Sequence, residues 1–259
     1  MKKLLFGVVL SLFYAQFLGA QPLRLATDMS YPPFQFLEKG ELKGVETEIL
    51  AEISKRTGLE FKPEKTPFDK IFSVVEYGNA DIAMSAIDIT PERLVDFDFS
   101  ESYYTTTNIF VALEGKFNSI ENLKNAKIGV ISPESTQEEL AKRLGNEVIV
   151  CNSLMNGVLY LNNGKIDALI IESVATPIVV HNRYEFLSEK EKQGLDMLKS
   201  FGTLKKAEVF HIDFEGSAEQ GLMVKKGTFG EELEKINKAI KDMKDDGTIE
   251  TIIKKYGLQ

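Results

Sequence analysis

Arg93 closes the run DIAMSAIDITPER, Asp81 to Arg93, in which a short apolar segment empties into a helix start. That combination can hold a carboxylate. Thr90 is placed to cap the helix, Pro91 stands where a missing N–H costs nothing, and Glu92 suits the positive end of the helix dipole. Backbone N–H groups and the Arg93 guanidinium would then face one anion together, and the planar fork of an arginine meets a carboxylate with two parallel hydrogen bonds. A surface arginine in a solvated salt bridge is the competing reading.

The elements that must position this arginine read from hydrophobic period. Leu23 to Thr27 is a strand, followed by Asp28 and the turn Tyr31-Pro32-Pro33-Phe34. A helix runs from about Val45, with Val45, Ile49 and Ile53 on one stripe, to a stop at Gly58. Leu59 to Lys62 reads as the next strand. Phe68, Ile71, Phe72 and Val75 then form an amphipathic helix ending at Gly78, which delivers the strand Asp81 to Ser85. The pattern recurs downstream. Lys127 to Ile131 and Glu147 to Cys151 are strands, Ser135-Thr136-Gln137-Glu138 is a capping box, and Ser153 to Asn162 is a helix. Its ending, Gly164 to Ile170, echoes Gly78 to Met84 in spacing and type. Gly221 to Val224 and the helix Glu231 to Met243 are expected to return to the first half.

Alternating strands and helices predict mostly parallel sheets covered on both faces, and the duplication predicts two similar lobes. Ligands of such sheets gather at the carboxyl ends of the strands. The residues there are Asp28, Ser85 to Asp88, Ser132 to Thr136, and Ile171-Glu172, nearly all polar.

Composition narrows the partners. Met1 to Ala20, with Lys2 and Lys3 before the apolar stretch Leu4 to Leu18, reads as an export signal cleaved near Ala20. The single cysteine, Cys151, allows no intrachain disulfide, and none stands near Ala20 to take a lipid. A periplasmic protein that is not a lipoprotein is the expectation. Loss of the leader takes the formal charge from −8 to −10, which makes nucleic acid a poor partner. His181, His211 and one thiol supply no recognisable metal-ligand spacing, so no metal or cofactor is expected.

The motifs ATDMSYPPF, GVETEIL, ITPERLVDFDFSESYY, STQEE, GKIDALIIES and KDDGTIETIIKKYG, in this order, resemble the extracellular solute-binding proteins of polar amino-acid ABC importers. The resemblance spans the mature chain. It implies an α/β, two-lobed periplasmic-binding-protein (type II) clamp, with lobe 1 from residues 21–105 and 214–259 and lobe 2 from 106–213. Its two hinge crossings would lie near Tyr104 to Thr107 and Asp213 to Ala218. It also implies a ligand carboxylate held by Arg93 and by the helix start at Ser135 and Thr136, with Ser85 and Ala86 beside them. Glu172 would take the ammonium, while Phe68 and Tyr31 flank the ligand side chain. Membrane subunits of an ABC permease are the implied partner. Three positions depart from the family pattern: Glu46 and Glu172 stand for aspartates, and Asp88 stands for a serine or threonine. Asp88 would either share the ammonium or pair with Arg93. The acidic set Asp28, Asp88, Glu134 and Glu172, with the face of Phe68, favours arginine, lysine or ornithine. Glutamine and cystine are alternatives.

Cyclohexadienyl and arogenate dehydratases resemble these binding proteins with a general acid added three residues beyond the acidic strand end, where this chain has Ala175. Binding rather than catalysis is therefore expected. A fused sensor domain is the third class, and a free binding protein is preferred to it.

Overall fold

The computed structural model describes residues 21–131, 133, 135–187, 189–200 and 204–258. The leader expected at Met1 to Ala20, and Ser132 and Glu134 of the loop before Ser135, lie outside the described residues.

The first part of the chain gives strand β1 (Leu23–Thr27), the small strands β2 (Ser30–Tyr31), β3 (Gln35–Glu38) and β4 (Glu41–Lys43), then helix α1 (Val45–Thr57) and β5 (Phe61–Lys65). It continues through α2 (Phe68–Glu76), β6 (Ile82–Ala83), the single turn α3 (Arg93–Asp96) and β7 (Phe97–Phe99). Next come β8 (Tyr104–Leu113), β9 (Lys127–Val130), α4 (Thr136–Arg143), β10 (Glu147–Val150), α5 (Leu154–Asn163), β11 (Ala168–Glu172), α6 (Thr176–Val179), α7 (Glu189–Ser200) and β12 (Ala207–Gln220). The described chain ends with β13 (Met223–Lys225), α8 (Gly230–Asp245) and α9 (Thr248–Lys255).

Two five-stranded sheets share one plan, ordered β5-β1-β6-β13-β7 and β10-β9-β11-β8-β12. In each, the first three strands are parallel and the fourth runs against both its neighbours, so four of five strands point the same way. The mostly parallel, two-lobed α/β architecture predicted from the duplication is the one observed. β13 pairs with β6 and β7, so the distal strand does return to the first sheet. β8 and β12 form an antiparallel ribbon out to Tyr104 opposite Gln220, with a register break between Asp213 and Ala218. The chain passes between sheets just beyond that ribbon, at residues 100–103 and 221–222.

Side-chain alternation explains why the second sheet reads as continuous apolar runs. Ile109 and Val111 of β8, with Leu169 and Ile171 of β11, face a core that includes Val158 and Leu161 of α5. Phe110, Ala112, Ala168 and Ile170 face the opposite core, with Leu140 and Ala141 of α4. Both faces are covered, so both parities must be apolar. In the first lobe, Val45, Ile49 and Ile53 of α1 pack with Ile236, Ile240 and Met243 of α8, while Ile71 and Val75 of α2 cover the other face.

The repeated aspartate has a structural task. Asp81 accepts the Arg24 N–H through Oδ2 at 2.8 Å and donates its own N–H to Arg24 O, which fastens β6 to the start of β1. Asp167 does the same to Lys127 at the start of β9, with Oδ2 also 2.8 Å from the N–H. Each aspartate also carries a cation, Arg24 on Asp81 and Lys116 on Asp167.

Several boundaries move. The strand expected at Leu59 to Lys62 forms at Phe61–Lys65. It contains Pro63, which an edge strand tolerates because one side of its backbone needs no ladder. β6 keeps only two ladder residues. The helix expected at Thr90 is the single turn α3; Thr90 Oγ1 still accepts the Arg93 N–H, at 3.4 Å.

Candidate functional site

The carboxyl ends of β1 and β6 lie side by side, tied by a buried polar network. Thr27 Oγ1 donates to Gln35 Oε1 at 3.0 Å, and Gln35 Nε2 donates to Ser85 Oγ at 2.8 Å. Ser85 Oγ also accepts the Asp28 N–H at 3.2 Å. The Ser85 hydroxyl is thus spent on holding the strand ends together. Asp28 accepts the Ser30 hydroxyl within its own turn, the behaviour of an aspartate that caps a loop.

Ala86 follows in a left-handed conformation, φ 50°, and its N–H donates to Glu46 Oε1 at 2.6 Å. The same oxygen accepts the Tyr103 phenol, and Oε2 is buried without a partner. Burial outweighs those two hydrogen bonds and raises the Glu46 carboxyl to about 7. Glu46, which stands for an aspartate of the family pattern, thus serves the fold at this strand end. A signal was present: Glu46 lies at i−4 and i−7 from Leu50 and Ile53, on the stripe that is buried.

Asp88 and Arg93 complete this lobe's part of the site. Arg93 Nη1 donates to the main-chain oxygen of Asp88 at 2.7 Å, and its guanidinium carbon lies 4.8 Å from the centre of the Phe72 ring. Asp88 Oδ1 accepts from Gln220 Nε2 at 3.3 Å, beside the second crossing. Of the two expectations for Asp88, a direct ion pair with Arg93 does not form among the described residues. Burial raises the Asp88 carboxyl and lowers the Arg93 guanidinium, while their mutual charge pulls each the other way. The expected helix-start half of the anion site is reduced, because α3 is too short to present a dipole. Phe68 opens α2 at 41% exposure and meets Phe72 edge to face at 5.9 Å, so Phe68, Phe72 and Arg93 form one shelf.

Across the cleft, Ser135 caps α4 by accepting the Glu138 N–H at 3.2 Å, as the capping box predicts. Thr136 opens the helix and is exposed. Gln137 donates to Asn108 Oδ1 at 2.8 Å. Glu172 ends β11 and its Oε2 accepts the Tyr31 phenol, a hydrogen bond from one lobe to the other. Burial raises Glu172, and the Asp88 charge raises it further, against the pull of the Tyr31 bond. Tyr31 is itself raised well above the usual phenol range, by burial first and then by the Glu172 charge.

A cavity of about 420 Å³ opens beneath this contact. Ser30, Tyr31 and Pro32 roof it, Ser135, Gln137 and Glu172 give its polar edge, and Ile131, Leu154, Ile170 and Val174 are among its apolar walls. Of the ten residues singled out in the sequence, Tyr31, Ser135 and Glu172 line it. Asp28, Phe68, Ser85, Ala86, Asp88, Arg93 and Thr136 do not. Gln137 and the apolar wall were missed, since a wall residue looks like any core residue in sequence.

The family model for bacterial extracellular solute-binding proteins, family 3, matches residues 23–259. The chain is 29% identical over 240 residues to a "Probable histidine-binding protein" of Campylobacter jejuni, with 92% of this chain and 85% of that one covered. It is 28% identical over 243 residues to the arginine-binding extracellular protein ArtP of Bacillus subtilis, covering 92% and 87%. Among solved structures, an ancestral cationic amino acid solute-binding protein, AncCDT-1, superposes with a TM-score of 0.71 at 25% identity, covering 91% of this chain and 95% of that one. A second structure of AncCDT-1 is described as a precursor of cyclohexadienyl dehydratase. With the model match running almost the full length of the described fold, this chain belongs to the bacterial extracellular solute-binding proteins, family 3.

Proposed function

We propose that this protein captures an amino acid, preferentially one with a cationic side chain, in the cleft between its lobes and delivers it to an ABC-type importer from the periplasm. Residues 21–105 with 214–259, and 106–213, are the two moving bodies in this reading. Arg93 and the Ser135-Thr136 start of α4 take the carboxylate from opposite sides. Asp88 and Glu172 take the positive charge. Tyr31 and Phe68 flank the side chain, and Ser85, Ala86 and Asp28 hold the strand ends beneath it.

The observation that carries this reading is the meeting of Glu172 with Tyr31 across the cleft, close enough to Asp88 for the Asp88 charge to disfavour ionisation of Glu172. A bound cation relieves that repulsion, and relief requires both lobes. A relative that binds arginine agrees with a cationic ligand. For the dehydratase alternative, the position that would need a general acid is Ala175, which lines the cavity. A thermal-shift screen of the common amino acids tests the proposal. Arginine, lysine or ornithine should give the largest rise in melting temperature. Glutamine, cystine or glutamate at the top would reject the cationic preference, and turnover of prephenate or arogenate would restore the enzyme. Arg93→Ala should weaken the best ligand by 100-fold or more, a loss on the order of 3 kcal/mol for truncating one partner of a hydrogen-bonded charge pair, with a near-native melt.

A further inference from the structure

Asp88 is fastened to the end of β12, where the chain leaves the second sheet for the first. Ile89 N–H donates to Glu219 O at 2.7 Å, Gly221 N–H donates to Ile87 O at 3.2 Å, and Asp88 bridges to Gln220 between them. Gln220 also accepts the Tyr103 N–H at 2.9 Å through its main-chain oxygen, so the other crossing is tied to the same residue. With its backbone fixed on two sides, Gln220 has few ways to place its side chain. The residue is 2% exposed, and its Nε2 donates to Asp88 Oδ1 at 3.3 Å. Oε1 is buried without a partner among the described residues. Turning the amide over would set Oε1 against the carboxylate, acceptor against acceptor. The amide therefore keeps its one bond by giving its donor to Asp88, and its acceptor stays unmet.

We propose that Gln220 is a positioning residue that keeps the Asp88 carboxylate an acceptor, and through it sets the choice of a cationic over a neutral amino acid. The consequence for the ligand rests on the proposed binding role; the effect on Asp88 does not. A hydrogen bond to an ionised carboxylate is roughly twice as strong as one to a neutral carboxyl, so a fixed amide donor favours the charged form. The groups facing Asp88 divide over that form. Arg93 of α3 supports it, and burial opposes it. Glu172 of β11 and the phenols of Tyr31 and Tyr103 are all raised by the Asp88 charge. Glu219, next to Gln220, is exposed. With both acids ionised, Arg93 faces Asp88 and Glu172 together, and one negative charge is left over. A zwitterion with a neutral side chain leaves that charge unmet, whereas a cationic side chain cancels it. Protonating Asp88 would bring the site to balance and remove the reason to prefer a cation.

The test compares wild type, Gln220→Met, Gln220→Glu and Asp88→Asn in the full chain. Carbon-13 NMR follows the aspartate carboxyls through a pH titration without solute, the Asp88 signal being the one missing from Asp88→Asn. Calorimetry follows L-arginine and its neutral isostere L-citrulline at about pH 5 and about pH 8, on either side of that titration. Gln220→Met should move the Asp88 midpoint up by about one pH unit, and Gln220→Glu should move it up too, by setting a second acid against the first. The preference for arginine over citrulline should then fall in Gln220→Met by as much as ~10-fold at the lower pH and stay near wild type at the higher. An Asp88 midpoint that stays put in both variants overturns the proposal. An equal loss of preference at the two pH values overturns it as well, since a general loss of shape does not follow the proton. A midpoint that moves with no change in preference overturns the part in selectivity. If wild type binds neither amino acid, the proposed function fails on its own, and the midpoint still decides what Gln220 does to Asp88. Gln220→Glu keeps the length of the native side chain, so the midpoint stays readable should Gln220→Met not fold.

Discussion

Glu46 shows how far a side chain's role departs from its type. Its carboxyl sits 3% exposed, accepts from Ala86 and Tyr103 through one oxygen, and leaves the other without a partner. Because the folded pKa is about 7 against an ordinary 4.5, the folded state binds the proton more tightly than the unfolded chain does. The resulting stability is fully present below pH 4.5 and is lost as pH rises to about 7. Its size is on the order of 3 kcal/mol. Glu46→Gln should therefore flatten the melting temperature between pH 5 and 8; a wild-type slope retained in that variant would assign the slope elsewhere. At this scale the sequence supplied residue types well and partners poorly. Arg93 reads as a carboxylate fork, yet one arm is bound to the Asp88 carbonyl and its plane rests near Phe72. Ser85 reads as a strand-end hydroxyl, yet Gln35, fifty residues earlier, engages it.

Elements were more legible, because their signals are local. The capping serines 135 and 153 accept the N–H three residues on, and Gly58 and Gly164 end their helices in the left-handed conformation, as their spacing predicts. The duplicated Gly-x-x-Asp read as a repeat, and the fold explains it as a fastener of β6 to β1 in one sheet and of β11 to β9 in the other. Asp81→Ala and Asp167→Ala should each cost about 1–3 kcal/mol by denaturant unfolding, since each leaves a strand-end N–H without its acceptor. A cost confined to one of them would mean that the repeat is not mechanically equivalent. Gly44 offers a sharper test of one junction. Its φ is 127° and a Cβ there would lie 2.1 Å from Phe34 O, so Gly44→Ala should lower stability by at least ~2 kcal/mol and displace the small hairpin sheet from α1. Elements whose ends depend on neighbours read less well. β5 slid past Leu59 to include Pro63, and α3 stopped after one turn when the chain turned into β7.

At the scale of the molecule, charge and shape become one problem. Asp88 comes from the first lobe and Glu172 from the second, and both carboxyls are raised by burial. Acidification protonates them earlier than ordinary carboxylates, so affinity for a cationic amino acid should fall as the pH is lowered from 8 to 5, read by calorimetry. Glu172→Gln should remove most of that dependence; a flat wild-type profile would detach the acids from the ligand. The sequence by itself determined the strand and helix order, the two-lobed plan and the family, because period, caps and a duplicated motif are written within a few residues of where they act. Only the tertiary structure decided which polar groups serve the cleft and which serve the fold, and where the lobes touch. Tyr31 and Glu172, or Phe36, Phe186 and Tyr256, are brought together by chain separations of 70 to 220 residues, and no local signal encodes a contact made at that distance.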